Sequence, residues 1–210
     1  MEFRAAVYAD VADEIPQAAL LLWRRGNNLI NRLIAGPDRS NYAHAATACR
    51  RAGELWSLEF LQWQGPVDAP LWLYVRDYPG RIDVFAPNAG GRWNYLPEAA
   101  VEEMQRLMRR FRNRYGWHNL LRAGRWFVPW LRLFGHPSAD DAANGDRPPH
   151  CVMARVLADT AAGVDPVPNT PAYLTTPGDL ARSLFYEYRY TLFWTPEQAD
   201  AARKIGHAAK

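Results

Sequence analysis

The sequence predicts an α+β fold, with an antiparallel sheet packed against helices, and three observations carry that reading. Short apolar segments separated by turn residues fill the first half, helical periodicity takes over in the middle, and an alternating segment returns near the end. With 210 residues, 49% of them hydrophobic and 22% charged, the chain has the balance of one globular domain with a full core. We assign residues 1–200 to a single domain and 201–210 to a polar C-terminal tail that frays after Trp194.

The elements follow in order. Ala18 to Trp23 is an uninterrupted apolar run of strand length, ended by Arg24, Arg25 and Gly26. Asn27 to Ala35 places Leu29, Ile30, Leu33 and Ile34 at helical spacing, with Gly36-Pro37 as a stop. Tyr42 to Ala48 is an apolar strand, a turn covers Arg50 to Gly53, and Glu54 to Gln62 sets Leu55, Ser57, Glu59 and Leu61 on one strand face. Leu71 to Val75 and Arg81 to Pro87 read as two further strands, separated by Asp77, Pro79 and Gly80.

Pro97 to Arg114 then reads as a helix, with Pro97 and three glutamates near its start, arginines toward its end, and an apolar stripe of Val101, Met104, Leu107, Met108 and Phe111. Asn119 to Phe134 is a second helical stretch rich in Trp and Leu, and Ser138 to Pro149 is a polar loop. Cys151 to Ala161 reads as a helix whose first residue is the cysteine. Gly163 to Pro177 is irregular. Leu184 to Phe193 is a final strand with Leu184, Tyr186, Tyr188, Tyr190 and Leu192 on one face.

Composition narrows the function classes. Two cysteines exclude a disulfide framework, and without C-x-x-C spacing a zinc site is not expected. The formal charge is only +3 and the arginines of the 97–114 helix alternate with an apolar stripe, so no nucleic-acid partner is expected. The first sixteen residues carry acids at Glu2, Asp10, Asp13 and Glu14 and lack the pattern of a signal peptide, so a cytoplasmic protein is the expectation.

Three residue types point to thiol chemistry. A cysteine at the N-terminus of a helix, with an imidazole nearby, is placed to ionise, and Cys151 meets the first condition. His44 sits in an apolar strand where an exposed histidine would be out of place. Glu59 lies between Leu58 and Phe60, where burial is expensive without a partner such as an imidazole. Each has a plainer reading: Cys151 as a small buried hydrophobe, His44 as a core histidine, Glu59 as a solvent-facing acid. Cys49 is an odd number of residues from His44, which sets it on the opposite face of a regular strand. His150 neighbours Cys151 directly, and adjacent side chains at a helix start rarely face each other. His118, His136 and His207 read as surface residues.

The segments Ser40-Asn41-Tyr42-Ala43-His44, Leu58-Glu59 and Cys151-Val152-Met153-Ala154-Arg155-Val156 stand in an order that resembles the permuted papain-like NlpC/P60 superfamily, in its YiiX/YebB-like branch. Ala19 to Ile34 is similar to the family's opening strand and helix, and Gly163-Val164-Asp165 and Thr175 to Leu180 to its closing segments. The likeness spans residues 17–193. The sequence departs from the pattern at Val152 and Met153, where the family commonly has Ser and Glu, and at Ala18-Ala19, where it has Gly-Asp.

The resemblance implies a circularly permuted papain-like fold in which Cys151 attacks, His44 shuttles the proton and Glu59 orients the imidazole, with no metal or cofactor required. The substrate class it implies is an amide, such as a peptidoglycan peptide or an isopeptide, which a cytoplasmic protein would reach by a phage, secretion or lysis route. Two alternatives stand beside it. One is an acyl-lipid thioesterase or acyltransferase, with the Trp/Arg-rich 119–134 segment as a membrane-surface contact. The other is a non-catalytic scaffold, in which Cys151, His44 and Glu59 do not meet.

Overall fold

The computed structural model of the chain describes residues 3–24, 40–117, 119 and 147–208. The helix expected over 27–35, all but Asn119 of the one expected over 119–134, and most of the 138–149 loop lie outside those residues.

Ala5–Val7 (β1) leads into one helical turn, Tyr8–Val11 (α1), and then into Leu20–Arg24 (β2). The apolar run of β2 is explained by its position in the middle of a sheet covered on both faces. Leu20 and Leu22 join one core and Leu21 and Trp23 the other, and all four are buried. Tyr42–Arg51 (β3) pairs antiparallel with β2 and turns through Ala52-Gly53 into Glu54–Leu61 (β4). Both turn residues have positive φ, the geometry that matches the twist of a tight hairpin.

β4 pairs with Gly65–Pro70 (β5), a strand the sequence reading missed because of Pro66 and Pro70. Proline removes a ladder donor and is tolerated at a sheet edge, which is where β5 lies. The expected strand at Leu71 to Val75 is instead a helix, Leu71–Asp77 (α2). Its aromatic and β-branched residues read as a strand, yet the buried pair is Leu71 and Val75, one helical turn apart.

Ile82–Pro87 (β6) follows, then Pro97–Arg110 (α3), Cys151–Ala161 (α4) and Pro177–Arg182 (α5). α3 buries Ala100, Val101, Met104 and Leu107 and stops at Arg110, four residues before the expected end, where Phe111 turns out of helical geometry. The sheet order is β1-β7-β6-β2-β3-β4-β5, with Tyr186–Phe193 as β7, and only β1 and β7 run parallel.

The expected single face of β7 is split by a bulge. Val84 pairs with Tyr190 but Phe85 with Tyr188, which leaves Arg189 unpaired. Tyr186 and Tyr188 therefore pack on the α3/α4 side, and Tyr190 and Leu192 on the α2 side. The C-terminal tail expected to fray is a helix, Pro196–Ala208 (α6). Thr195 accepts from the Gln198 amide while the Gln198 side chain accepts from the Thr195 N–H. Ala199 and Ala202 are buried, and Arg203 donates to the Ala5 carbonyl of β1. Among the described residues no helix is long and apolar enough to cross a membrane.

A buried ion pair ties α4 to the sheet. Arg155 is fully buried and donates to both oxygens of Asp159, to Thr47 Oγ1 of β3 at 3.1 Å and to the Ala18 carbonyl at 2.9 Å. Tyr95 and Tyr186 donate to the same carboxylate. Removing one partner of such a pair leaves the other charge buried alone. Arg155→Ala is expected to lower unfolding free energy by about 3–5 kcal/mol, and Arg155→Met with Asp159→Leu to recover most of it. Urea titrations of the three proteins check this, and a loss below about 1 kcal/mol for Arg155→Ala would contradict the role.

Candidate active site

β3 and β4 are paired from Arg51↔Glu54 up to Thr47↔Leu58 and no further. His44 lies beyond that point, on the stretch of β3 still paired to β2 through Trp23. Leu58 and Phe60 face the α3/α4 core, so alternation turns Glu59 to the opposite side of β4, the side of α2. There its Oε2 lies 2.6 Å from His44 Nε2. α4 packs against both β3 and β4, and its first residue, Cys151, comes within hydrogen-bonding reach of the His44 ring. With Nε2 committed to Glu59, Nδ1 is the nitrogen left for the thiol.

The three residues predicted from sequence are thus brought together, in the order thiol, imidazole, carboxylate. The expectation attached to a scaffold, that they do not meet, is not what this geometry gives. Glu59 is 1% exposed and its Oε1 has no hydrogen-bond partner among the described residues, so its charge is directed at His44. Cys49 stays in the helix-side core, 2% exposed, with its Sγ near the Arg50 carbonyl.

The electrostatics follow from this packing. Burial disfavours charge on His44, but the Cys151 thiolate on one side and Glu59 on the other outweigh it and push its pKa up to about 10. Burial alone would raise the Cys151 thiol, yet the His44 imidazolium, aided by the neighbouring His150 ring, brings it well below its ordinary value. Both shifts favour the thiolate–imidazolium form of the pair. Cys151 is 8% exposed and the His44 side chain 17%, so both partners are largely shielded from solvent.

Four residues around the pair were not singled out as functional from the sequence. His150 caps α4: its Nδ1 accepts from the Met153 N–H at 3.3 Å and its Nε2 donates to the Tyr173 carbonyl at 3.1 Å. Both ring nitrogens are engaged by backbone groups, which makes His150 a cap rather than the base. Trp23 sets its ring edge-on to both His44 and Tyr74, at centroid distances of 5.2 and 5.8 Å. Tyr74 of α2 lies beside the Glu59 carboxylate, and burial together with that charge raises its phenol pKa.

Tyr115 is the fourth. Its hydroxyl is within reach of both the sulfur and the backbone N–H of Cys151, and burial with the thiolate holds it well above the usual phenol range, so it remains a donor. The approach depends on Gly116, whose N–H donates to the Pro149 carbonyl at 3.1 Å. A Cβ there would lie 2.5 Å from His150 N and from Pro148 O, both backbone atoms. The segment carrying Tyr115 therefore rests directly on the chain leading into Cys151.

No protein-family model matches this chain, and no curated protein does. Among solved structures it is similar to the crystal structure of metalloprotein YiiX from Escherichia coli O157:H7 (DUF1105), at 12% identity and a TM-score of 0.51, over 85% of this chain and 99% of that one. The shared feature is a YiiX-like α+β fold.

Two outcomes check the site. Cys151 is expected to react with iodoacetamide at a rate that plateaus through neutral pH, with a second rise near pH 10 as His44 loses its proton. In His44→Ala the rate at pH 7 should fall about 30-fold, toward a free thiol of pKa roughly 8.5. Equal profiles for the two proteins would contradict the ion pair. Gly116→Ala, by pushing the 148–150 backbone, is expected to slow alkylation at pH 7 as well, while Gly53→Ala, a glycine of the β3–β4 turn remote from the thiol, should leave the rate unchanged.

Proposed function

We propose that this protein is a cysteine hydrolase that cleaves an amide bond through Cys151, His44 and Glu59, on a circularly permuted papain-like fold of the NlpC/P60 type. The observation that carries the reading is the imidazole of His44 held between a buried carboxylate and a thiol that opens a helix.

The Cys151 thiolate attacks the amide carbonyl carbon, and the carbonyl electron pair moves to oxygen. The Cys151 backbone N–H, left unused by the helix, and the Tyr115 hydroxyl would serve as donors to that oxyanion. As the intermediate collapses the C–N bond breaks, and the departing amine takes the proton from His44 Nδ1. A thioester remains on Cys151. Neutral His44 then removes a proton from water, hydroxide adds to the thioester carbon, and the carboxylic acid leaves as the thiolate and imidazolium re-form. Glu59 holds the ring and its charge throughout.

YiiX is called a metalloprotein, but the donor set here does not fit a metal centre. Among the described residues no group of three His, Cys, Asp or Glu side chains is placed to hold an ion, and His44 Nε2 is committed to Glu59. No step is routed through a metal.

With model peptide amides and thioesters, Cys151→Ala should abolish turnover, and intact-mass analysis of the wild type should show the acyl group on Cys151. Glu59→Gln is expected to lower kcat about 10²- to 10⁴-fold, since the amide cannot stabilise the imidazolium. Amide hydrolysis should decline as pH rises through about 10, where His44 loses the proton the leaving amine needs. A wild-type protein that turns over esters alone would point to the acyl-lipid alternative, and no acyl-enzyme with any carbonyl substrate would overturn the reading.

A further inference from the structure

Among the described residues, one exposed tryptophan connects through neighbouring rings to the site. Trp63, in the turn between β4 and β5, is 80% exposed, and its ring contacts Trp117 at 4.8 Å. Trp117 in turn contacts Tyr115 at 5.4 Å, and Tyr115 is the residue whose hydroxyl reaches Cys151. Three rings thus form a continuous ladder from the nucleophile to open solvent.

Both ends of the ladder are built rather than incidental. Gly116 presses the 115–117 segment onto the backbone before Cys151. Gly65, at positive φ, lets the β4–β5 turn lie against the 113–114 backbone, where a Cβ would stand 2.7 Å from Arg114 N. The rings are held on a fixed frame from two directions.

We infer that the Tyr115–Trp117–Trp63 ladder is a substrate subsite that takes an extended peptide with an apolar or aromatic side chain about three residues from the scissile amide. This rests on the amide-hydrolase reading above. The two ring steps cover the rise of about three residues of extended chain, at 3.3–3.4 Å each. Gln62 and Gln64 flank Trp63, and their side-chain amides make no hydrogen bond among the described residues, which leaves them for a peptide backbone. A long alkyl chain gains by enclosure, and a ring that is four-fifths exposed gives little. A planar side chain stacked on the ring gains by contact with its face.

The test uses N-acetyl peptide thioesters of Gly and Ser with one Phe walked along the first five positions from the reactive carbonyl. Cys151 should be acylated about tenfold faster when Phe stands near the third position, and Trp63→Ala should reduce that preference to within about twofold. Iodoacetamide alkylation of Cys151 should be the same in both proteins. The same peptides as amides, titrated against Cys151→Ala by tryptophan fluorescence, report binding without chemistry, so an inert thiol does not mask the result. A positional preference untouched by Trp63→Ala, the absence of any preference in both assays, or tighter binding of a chito-oligosaccharide or a long-chain acyl ester would overturn the subsite. Slow, free-thiol-like alkylation of the wild type would instead overturn the hydrolase reading while leaving the binding arm to stand or fall alone.

Discussion

The rotation of α4 about its own axis is the constraint on which the site depends, and Arg155 sets it. Cys151, Arg155 and Asp159 recur every four residues, so they share one face of the helix. Arg155 engages Thr47 of β3, three residues from His44, and the Ala18 carbonyl just before β2. A guanidinium with five bonds to four partners in fixed directions leaves little freedom to turn or slide. An apolar helix face could pack in several nearby registers at similar cost; this one cannot without stranding a charge. The thiol therefore arrives at the imidazole by way of an ion pair one turn further along the helix.

The same logic works further across the same face of the sheet with different means. Asp83, fully buried on β6, accepts from Tyr42 at 2.6 Å, Arg24 at 2.7 Å and Thr191 at 2.5 Å. Tyr42 stands two residues before His44, and Arg24 is adjacent to Trp23, whose ring abuts the imidazole. Two satisfied polar clusters thus bracket His44, one through the helix and one through the neighbouring strands.

How much of this was legible in the sequence depends on how local each signal is. The strand at β2, the helix at α4 and its cysteine, and the odd chemistry of His44 and Glu59 all show in short windows. α2 was misread because Trp72, Tyr74 and Val75 favour a strand locally, and only burial of Leu71 with Val75 against the sheet makes it helical. α5 and α6 were missed although Thr176-Pro177-Gly178-Asp179 and Thr195-Pro196-Glu197-Gln198 both spell a capping box with proline at the first helical position. Those two were readable. Tyr115, Tyr74 and Trp23 were not, since their place at the site comes from close backbone approach and sheet register across distant segments. The β7 bulge is of the same kind: nothing in an alternating run of tyrosines marks where the alternation changes faces.

The proposed nucleophile and its proposed base belong to different layers. Cys151 stands on a helix of one core, while His44 and Glu59 are presented by the sheet, with Trp23 and Tyr74 from the opposite core behind them. Neither layer alone holds an ionised thiol. On the proposed function, a nascent or partly folded chain would carry a cysteine no more reactive than any other, and reactivity would appear only when the layers dock. The protein would then be its own safety catch during synthesis, with chemical competence serving as a report that folding is complete.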